Sequence, residues 1–447
     1  MTDATIDLGE LDSRSSPSVT HGWPLWERLR RHQRGMFRLI GGALAAALVF
    51  SLAAATPAVS PLKLMFQVHG VDQMTLDRQH LYALTRERLG ERATLTAYRL
   101  TDGAVHWQTP LPPGQTDLRL SVHGNRILLQ NLASRSPRIT LVDSDSGELI
   151  GTAAGNLVLL TDSALLLERV IDAHDVSELH AVDLATGAGR WRIPWQDAHL
   201  PQLEPDATHV VTSDVNGHLT QVYDLATGDL TAAGPAPHTP LSGIYVSGSV
   251  ALFFHKGNGQ LSISAYDLPM LTHRWTVPHP DEEPSPHPPR RCGSAVCLID
   301  RGGQLHALDW ATGAYRWSLP LTGQPSPIST AISAFAPPMS PELLLITVPS
   351  LGSAWLVDST TGAPLTDLHG WWFQAPGEVA QPLGFHPPDD TGLLWVGQLR
   401  PDGSAIEPLA PMSRGIDGCM STWPYLVCLG GFAEKDGPHL TVWRVDH

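Results

Sequence analysis

Lysine is nearly missing from this chain. Only Lys63, Lys256 and Lys435 occur among its 447 residues, and a phosphate-binding surface needs clustered cations, so nucleic acid is excluded as a partner. Charge of any kind is sparse at 16%, and the balance is acidic, with a net charge of −15. From Lys63 onward 23 basic residues face 39 acidic ones. Such acidity suits the solubility of an exported domain. Cysteine is scarce too: there are four, no two of them adjacent. They form neither a Cys-x-x-Cys nor a pair beside a histidine, which removes a cysteine zinc site. They fall in two local pairs, Cys292 with Cys297 and Cys419 with Cys428. Bridges within each pair close more easily than bridges between the pairs, although the sequence alone leaves other connectivities open. Local bridges fit an oxidising compartment.

Catalytic signatures are also lacking. Gly302-Gly303 and Gly430-Gly431 precede no Gly-Lys-Ser/Thr and read as hairpin turns, not phosphate loops. Ser247-Gly-Ser249 does not complete a nucleophile elbow. The 21 histidines are scattered, and the nearest approach to a cluster, His174-Asp-Val-Ser-Glu-Leu-His180, reads as an exposed hairpin. Between His279 and Arg290 two histidines and three acids alternate with prolines, which reads as a solvated loop whose spacing fixes no metal geometry. No catalytic, cofactor-binding or metal-binding residue is assigned.

What the chain does have is a repeat. Ala181-Val-Asp183 leads into Leu184-Ala-Thr-Gly-Ala-Gly-Arg-Trp191, and copies return at Tyr223-Asp-Leu-Ala-Thr-Gly228, Leu308-Asp-Trp-Ala-Thr-Gly-Ala-Tyr-Arg-Trp317 and Val357-Asp-Ser-Thr-Thr-Gly362. A looser copy is Val142-Asp-Ser-Asp-Ser-Gly147. Each reads as an apolar strand ending at an Asp whose carboxylate accepts backbone N–H groups, followed by a turn in which Gly supplies positive φ. The structural residues of the repeat are therefore Asp143, Asp183, Gly187, Trp191, Asp224, Gly228, Asp309, Gly313, Trp317, Asp358 and Gly362. Four residues past the glycine position stand Trp107, Trp191, Trp275 and Trp317, the third of these even though Leu271 has replaced the glycine.

Successive markers, Arg99, Asp143, Asp183, Asp224, Asp267, Asp309, Asp358, Leu399 and Asp446, lie roughly 40 to 50 residues apart, the period of propeller blades. The expected fold is all-β, a single β-propeller of four-stranded blades over residues 63–447. The unit ending at Leu399 is irregular and reads as an insertion, so eight blades are expected, with seven to nine compatible. A lone strand at Leu64–Val68 and a last unit that stops at Asp446 are complementary defects. Pairing them closes the ring and leaves no bare sheet edge.

Ahead of the propeller, residues 1–22 read as a disordered tail. Residues 23–38 form a basic juxtamembrane segment with Arg28, Arg30, Arg31, Arg34 and Arg38 beside Trp23 and Trp26. Residues 39–62 carry no charge, long enough to span a bilayer. The arginines on its N-terminal side predict a cytoplasmic N-terminus, an uncleaved transmembrane signal anchor and an extracytoplasmic propeller in the cell membrane. A cleaved signal peptide is the competing reading.

The Asp-x-x-Thr-Gly turn followed after four residues by Trp resembles the repeat of PQQ-like β-propellers, found in quinoprotein alcohol dehydrogenases and in the outer-membrane assembly lipoprotein BamB. The resemblance covers roughly residues 64–447 and implies that turn and Trp lock each blade to its neighbour. The family's enzymes hold the quinone against a Trp and a disulfide between adjacent cysteines, above calcium and a catalytic Asp. This chain has no adjacent cysteines, and no Glu, Asn and Asp set stands apart from the repeat turns. The expectation is a non-catalytic member without cofactor, a membrane-anchored module that contacts protein or envelope partners through its loop face. A small-molecule or sugar-sensing propeller is the alternative, and a quinoprotein dehydrogenase the least favoured.

Overall fold

A computed structural model describes residues 61–86, 92–113, 117–132, 137–170, 177–195, 202–213, 219–235, 244–257, 260–280, 289–321, 333–335, 343–348, 353–368, 370–373, 383–386, 393–400, 403–412, 416–431 and 437–446. The tail, the basic segment and all but the end of the apolar run of residues 39–62 lie outside the described residues. So do His174 and residues 281–288 of the proline-rich loop. Among the described residues no helix is long and apolar enough to cross a membrane.

The described strands form nine sheets, one per blade, antiparallel throughout apart from one two-residue parallel pair. The blades span residues 71–110, 118–154, 156–195, 209–235, 245–278, 290–320, 333–367, 372–412 and 416–445. The count of eight expected from the sequence is thus corrected to nine. The unit ending at Leu399 is no insertion, because Trp372–Phe373, Leu383–His386, Leu394–Leu399 and Ile406–Met412 pair in order as a complete sheet. Every marker position ends, or directly follows, the strand next to the outermost one of its blade.

Middle strands are near-continuous apolar runs because a neighbouring blade covers each face. Leu81–Leu84 and Ile127–Leu129 are fully or almost fully buried. Outermost strands alternate instead, as Val105–Pro110 and Leu230–Pro235 do, since they form the outer rim. The core therefore lies between blades. One cluster joins Leu305, Ala307 and Trp317 of the sixth blade to Leu344, Ile346 and Val357 of the seventh.

The ring closes as the two complementary defects require. Leu62–His69 pairs antiparallel with His439–Val445, from Leu62 opposite Val445 to His69 opposite His439, and becomes the outer strand of the ninth blade. Backbone bonds continue the seam at both ends, Asp446 N–H to the Pro61 carbonyl and Gly70 N–H to the Pro438 carbonyl, each at 2.7 Å. Two disulfides staple the first hairpins of two blades: Cys292–Cys297 in the sixth and Cys419–Cys428, whose residues sit directly opposite each other, in the ninth.

Blades four and five depart from the four-stranded plan. The two-residue strand Gln202–Leu203 leaves the fourth blade with three strands and pairs in parallel with Tyr245–Val246, giving the fifth blade five. Pro201 and Pro205 bracket it in the sequence, and proline supplies no donor to a ladder, so it cannot lengthen. Side chains pin it to the fifth blade. The Tyr245 hydroxyl donates to Glu204 at 2.9 Å, and the Ser247 hydroxyl and Gly248 N–H each donate to Asp206 at 3.0 Å.

Candidate functional site

The repeat residues build a turn of one design. Oδ1 of Asp309 accepts the N–H groups of Ala311 and Thr312 and the Thr312 hydroxyl, while Gly313 N–H donates to the Asp309 carbonyl at 2.8 Å. Asp143, Asp183, Asp224 and Asp358 serve their own turns in the same way. The glycine is demanded twice over. Gly313 has φ of 72°, and a Cβ there would lie 2.5 Å from the Trp275 ring; one on Gly147 (φ 73°) would lie 2.5 Å from the Trp107 ring. The rings of Trp191 and Trp317 press against Gly228 and Gly362 in the same manner.

Each Trp thus belongs to one blade and closes on the turn of the next. Its indole Nε1–H donates to the carbonyl one residue past the marker: Trp107 to Ser144 at 2.8 Å, Trp191 to Leu225 at 3.2 Å, Trp275 to Trp310 at 3.2 Å and Trp317 to Ser359 at 3.1 Å. At three of the seams that lack the Trp, other side chains take its place. Gly151 occupies that position in the second blade, and there Arg126 does the work. Its Nε–H donates to the Leu184 carbonyl at 3.0 Å, again one residue past the marker, and a terminal N–H donates to Ala185 at 3.3 Å, while the group pairs with Asp143 at 2.6 Å. Between the fourth and fifth blades the exchange is reciprocal: Ala232 replaces the Trp, Leu271 (φ 53°) replaces the glycine, and the two pack in one cluster. At the ring closure the ring of Phe66 stands where the Trp would, 2.6 Å from a Cβ on Gly103.

The turn carboxyls are held acidic. The Arg190 guanidinium, then the Thr186 hydroxyl and N–H, bring Asp183 down to about 2, and Arg316 followed by Thr312 does the same for Asp309 against a smaller opposing effect of burial. For Asp143 burial pushes upward, but the Ser146 and Asp145 donors and Arg126 outweigh it and the net direction is down. A carboxyl whose folded value is depressed stabilises the fold above its ordinary value near pH 4 and loses that contribution as pH falls toward 2. Asp183→Asn and Asp309→Asn are therefore expected to lower the melting temperature at pH 7 and to flatten its decline between about pH 4 and pH 2. Thermal melts across that range check this; an unchanged acid limb counts against it.

These residues are distributed over several blades, each serving its own turn or that of the next blade. Among the described residues no three His, Cys, Asp or Glu side chains gather as metal ligands. A concave feature among the described residues lies elsewhere, at the interrupted fourth blade. A cleft of about 640 Å³ opens between blades three and four. Its lining includes the first turn of blade three at Thr161–Ser163 and the last turn of blade four at Asp224–Ala226, which places it on the face that carries the repeat turns. It exists because the chain from Leu203 to His209 runs back from the fifth sheet to the fourth and leaves the space that a first strand of blade four occupies elsewhere in the ring. Leu159, Leu165 and Leu166 are buried beneath it, and Asp162, Asp206, Asp224, Arg190 and His123 ring it. Arg190 is engaged by Asp183 at 2.7 Å, Asp206 by Arg291 of the sixth blade, and His123 Nε2 lies 3.4 Å from Asp162. Sequence reasoning missed the cleft, the role of Arg126 and the role of Phe66.

The profile of the family described as "outer membrane protein assembly factor BamB" matches residues 58–199 and, overlapping, 92–339. The chain belongs to this PQQ-like propeller family. Among solved structures, BamB from Moraxella catarrhalis aligns at 12% identity over 86% of this chain and 98% of its own, with a TM-score of 0.42. A europium-containing methanol dehydrogenase aligns at 12% identity over 87% and 94%, with a TM-score of 0.45. The quinohemoprotein alcohol dehydrogenase from Comamonas testosteroni aligns at 11% identity over 87% and 77%, with a TM-score of 0.45. No match was found among curated proteins. As members of a PQQ-like repeat, the turn Asp, the turn Gly and the following Trp of this chain are accounted for by blade-to-blade locking.

Proposed function

We propose that this propeller is a membrane-anchored, extracytoplasmic protein-interaction module without catalytic activity, and that it engages protein or envelope partners through the face bearing the repeat turns. The cleft between blades three and four carries this reading. It is concave and lined by both apolar and acidic side chains, and it lies where the repeat is broken, whereas the repeat residues themselves are occupied in turns and locks. Membership of the BamB family supports a protein partner. The uncharged run of residues 39–62 behind clustered arginines supports the anchor, and two disulfides suit an oxidising compartment.

Protease added to intact cells is expected to remove the propeller and spare residues 1–38, and crosslinking in intact cells is expected to capture protein partners. Protection of residues 64–447 overturns the topology. A bound quinone visible in the absorbance of purified protein overturns the non-catalytic reading.

A further inference from the structure

We infer that the end of the ninth blade that carries Trp423, Lys63 and Leu64 lies in the headgroup layer of a lipid bilayer, so that the face bearing the repeat turns is directed toward the membrane; the inference rests on the anchor proposed above. The uncharged run of residues 39–62 passes straight into the fold. Its last residue, Leu62, is already the first residue of the strand Leu62–His69. A span that ends at Thr56-Pro57 leaves the residues from Pro57 to Pro61 as a tether, which reaches at most about 18 Å when fully extended. So short a tether holds whatever surrounds Leu62 at the bilayer surface and makes even a weak contact there effective.

The closure of the ring fixes what surrounds Leu62. Leu62 stands opposite Val445 at the end of the sheet where the marker Asp446 falls, which is the end that carries the repeat turns. Val445 N–H donates to the Pro424 carbonyl and Asp446 N–H to the Pro61 carbonyl, each at 2.7 Å. The turn Trp423-Pro424 and the entry of the chain therefore lie at one end of the blade, two strand spacings or about 10 Å apart.

The side chains gathered there are those that an interface favours. Trp423 is 40% exposed in its turn and Leu64 55% exposed on the outer strand. Lys63 is exposed next to Leu64, and Tyr425, Arg444 and Lys63 stand directly opposite one another across three strands, which places them on one side of the sheet. An indole is stable at headgroup level, and a lysine lays its methylenes along apolar surface while its ammonium meets phosphate. Arg444 is engaged by Asp446 at 2.9 Å, so aromatic and apolar groups make up most of the contact. With 39 acidic against 23 basic residues from Lys63 onward, the propeller is not drawn to anionic lipid by its charge; the tether brings it there.

The test places a benzophenone amino acid at position 423, 64, 69 or 47 of the full chain, reconstitutes each protein into vesicles of phosphatidylcholine and phosphatidylglycerol in equal parts, and reads phospholipid adducts by mass spectrometry after illumination. Position 47 lies in the uncharged run and reports on the anchor, whereas position 69 is exposed at the far end of the same strand, about 24 Å from Leu62. Adducts at 423 and 64 are expected to exceed those at 69 by at least about tenfold. Unchanged melting temperatures verify that the probes leave the fold intact, and position 64 decides alone where the probe at 423 lowers it. Equal yields at 423, 64 and 69, or a greater yield at 69, with adducts at 47, overturn the inference and leave the anchor standing. Adducts at 423 and 64 without any at 47 overturn the anchor, although the lipid surface itself stands. No adduct at any of these positions overturns both. Protein captured at 423 in intact cells in place of lipid overturns the lipid surface and leaves the interaction module standing.

Discussion

A chain that begins at residue 71 is expected to melt about 10 °C or more below one that begins at residue 61, although both keep the nine third strands and every repeat turn. The ten residues removed include the whole of Leu62–His69, which hydrogen-bonds along His439–Val445 and lays Phe66 over the turn at Gly103. Its loss bares the edge of the ninth blade and separates it from the first at once, because Met65, Phe66 and Val68 pack in the cluster shared by Val71, Leu81, Val427 and Leu440. Several apolar side chains and a ladder of backbone bonds go together, which exceeds the usual reach of one substitution, about 0.5 to 3 kcal/mol. Phe66→Ala isolates the packing part and is expected to cost about 3 kcal/mol, less than a fully buried Phe because the ring is only partly covered. Scanning calorimetry decides the matter, and equal melting temperatures for the two chains mean that the first strand is a linker.

Arg126→Ala should be the most damaging substitution of any arginine, at about 3 kcal/mol. The side chain is 11% exposed and serves Asp143, Leu184 and Ala185, so truncation strands a carboxylate and two carbonyls at a seam that has no indole to replace it. Arg190→Ala is the matched control. It removes an Asp partner of the same kind, but within one blade and at 29% exposure, and should cost about 1 kcal/mol or less. Arg126→Lys should recover little, since an ammonium is a compact charge and cannot present the planar fork that reaches a carboxylate and two carbonyls together. Urea titration of the three variants orders them, and equal midpoints for Arg126→Ala and Arg190→Ala discard the assigned lock.

Much of the ring could be read from the sequence because its turns repeat a local device. Asp, Gly and Trp lie within nine residues of one another in Asp183–Trp191, and their roles follow from backbone donors and positive φ. The blade at Leu399 was harder to recognise because no carboxylate stands at the marker, although backbone bonds from Arg400 N–H to the Ala405 carbonyl and from Gly403 N–H to the Arg400 carbonyl close its turn. Arg126 was illegible for another reason: it lies 58 residues from the Leu184 carbonyl it serves, and a cation at the start of a strand reads as a solvated end. The available signal was an absence, Gly151 where the period calls for Trp. The cleft depends on which sheet a two-residue strand joins, which periodicity does not specify; the prolines at positions 201 and 205 were its only trace.

The strand that completes the ninth blade also sets a timetable for biosynthesis. Gln67 meets Thr441 across 374 residues, so the first strand of the propeller to be made waits for almost the last. Blades one through eight can each assemble as their own strands emerge, whereas Leu62–His69 stays an unpaired edge until His439–Val445 has been made. Closing so long a loop is slow, and an open strand edge recruits other chains. A ribosome that stalls short of residue 439 therefore releases a ring with two bare edges, one at each end of the broken seam, and the nascent protein depends on whatever shields the first strand during that interval.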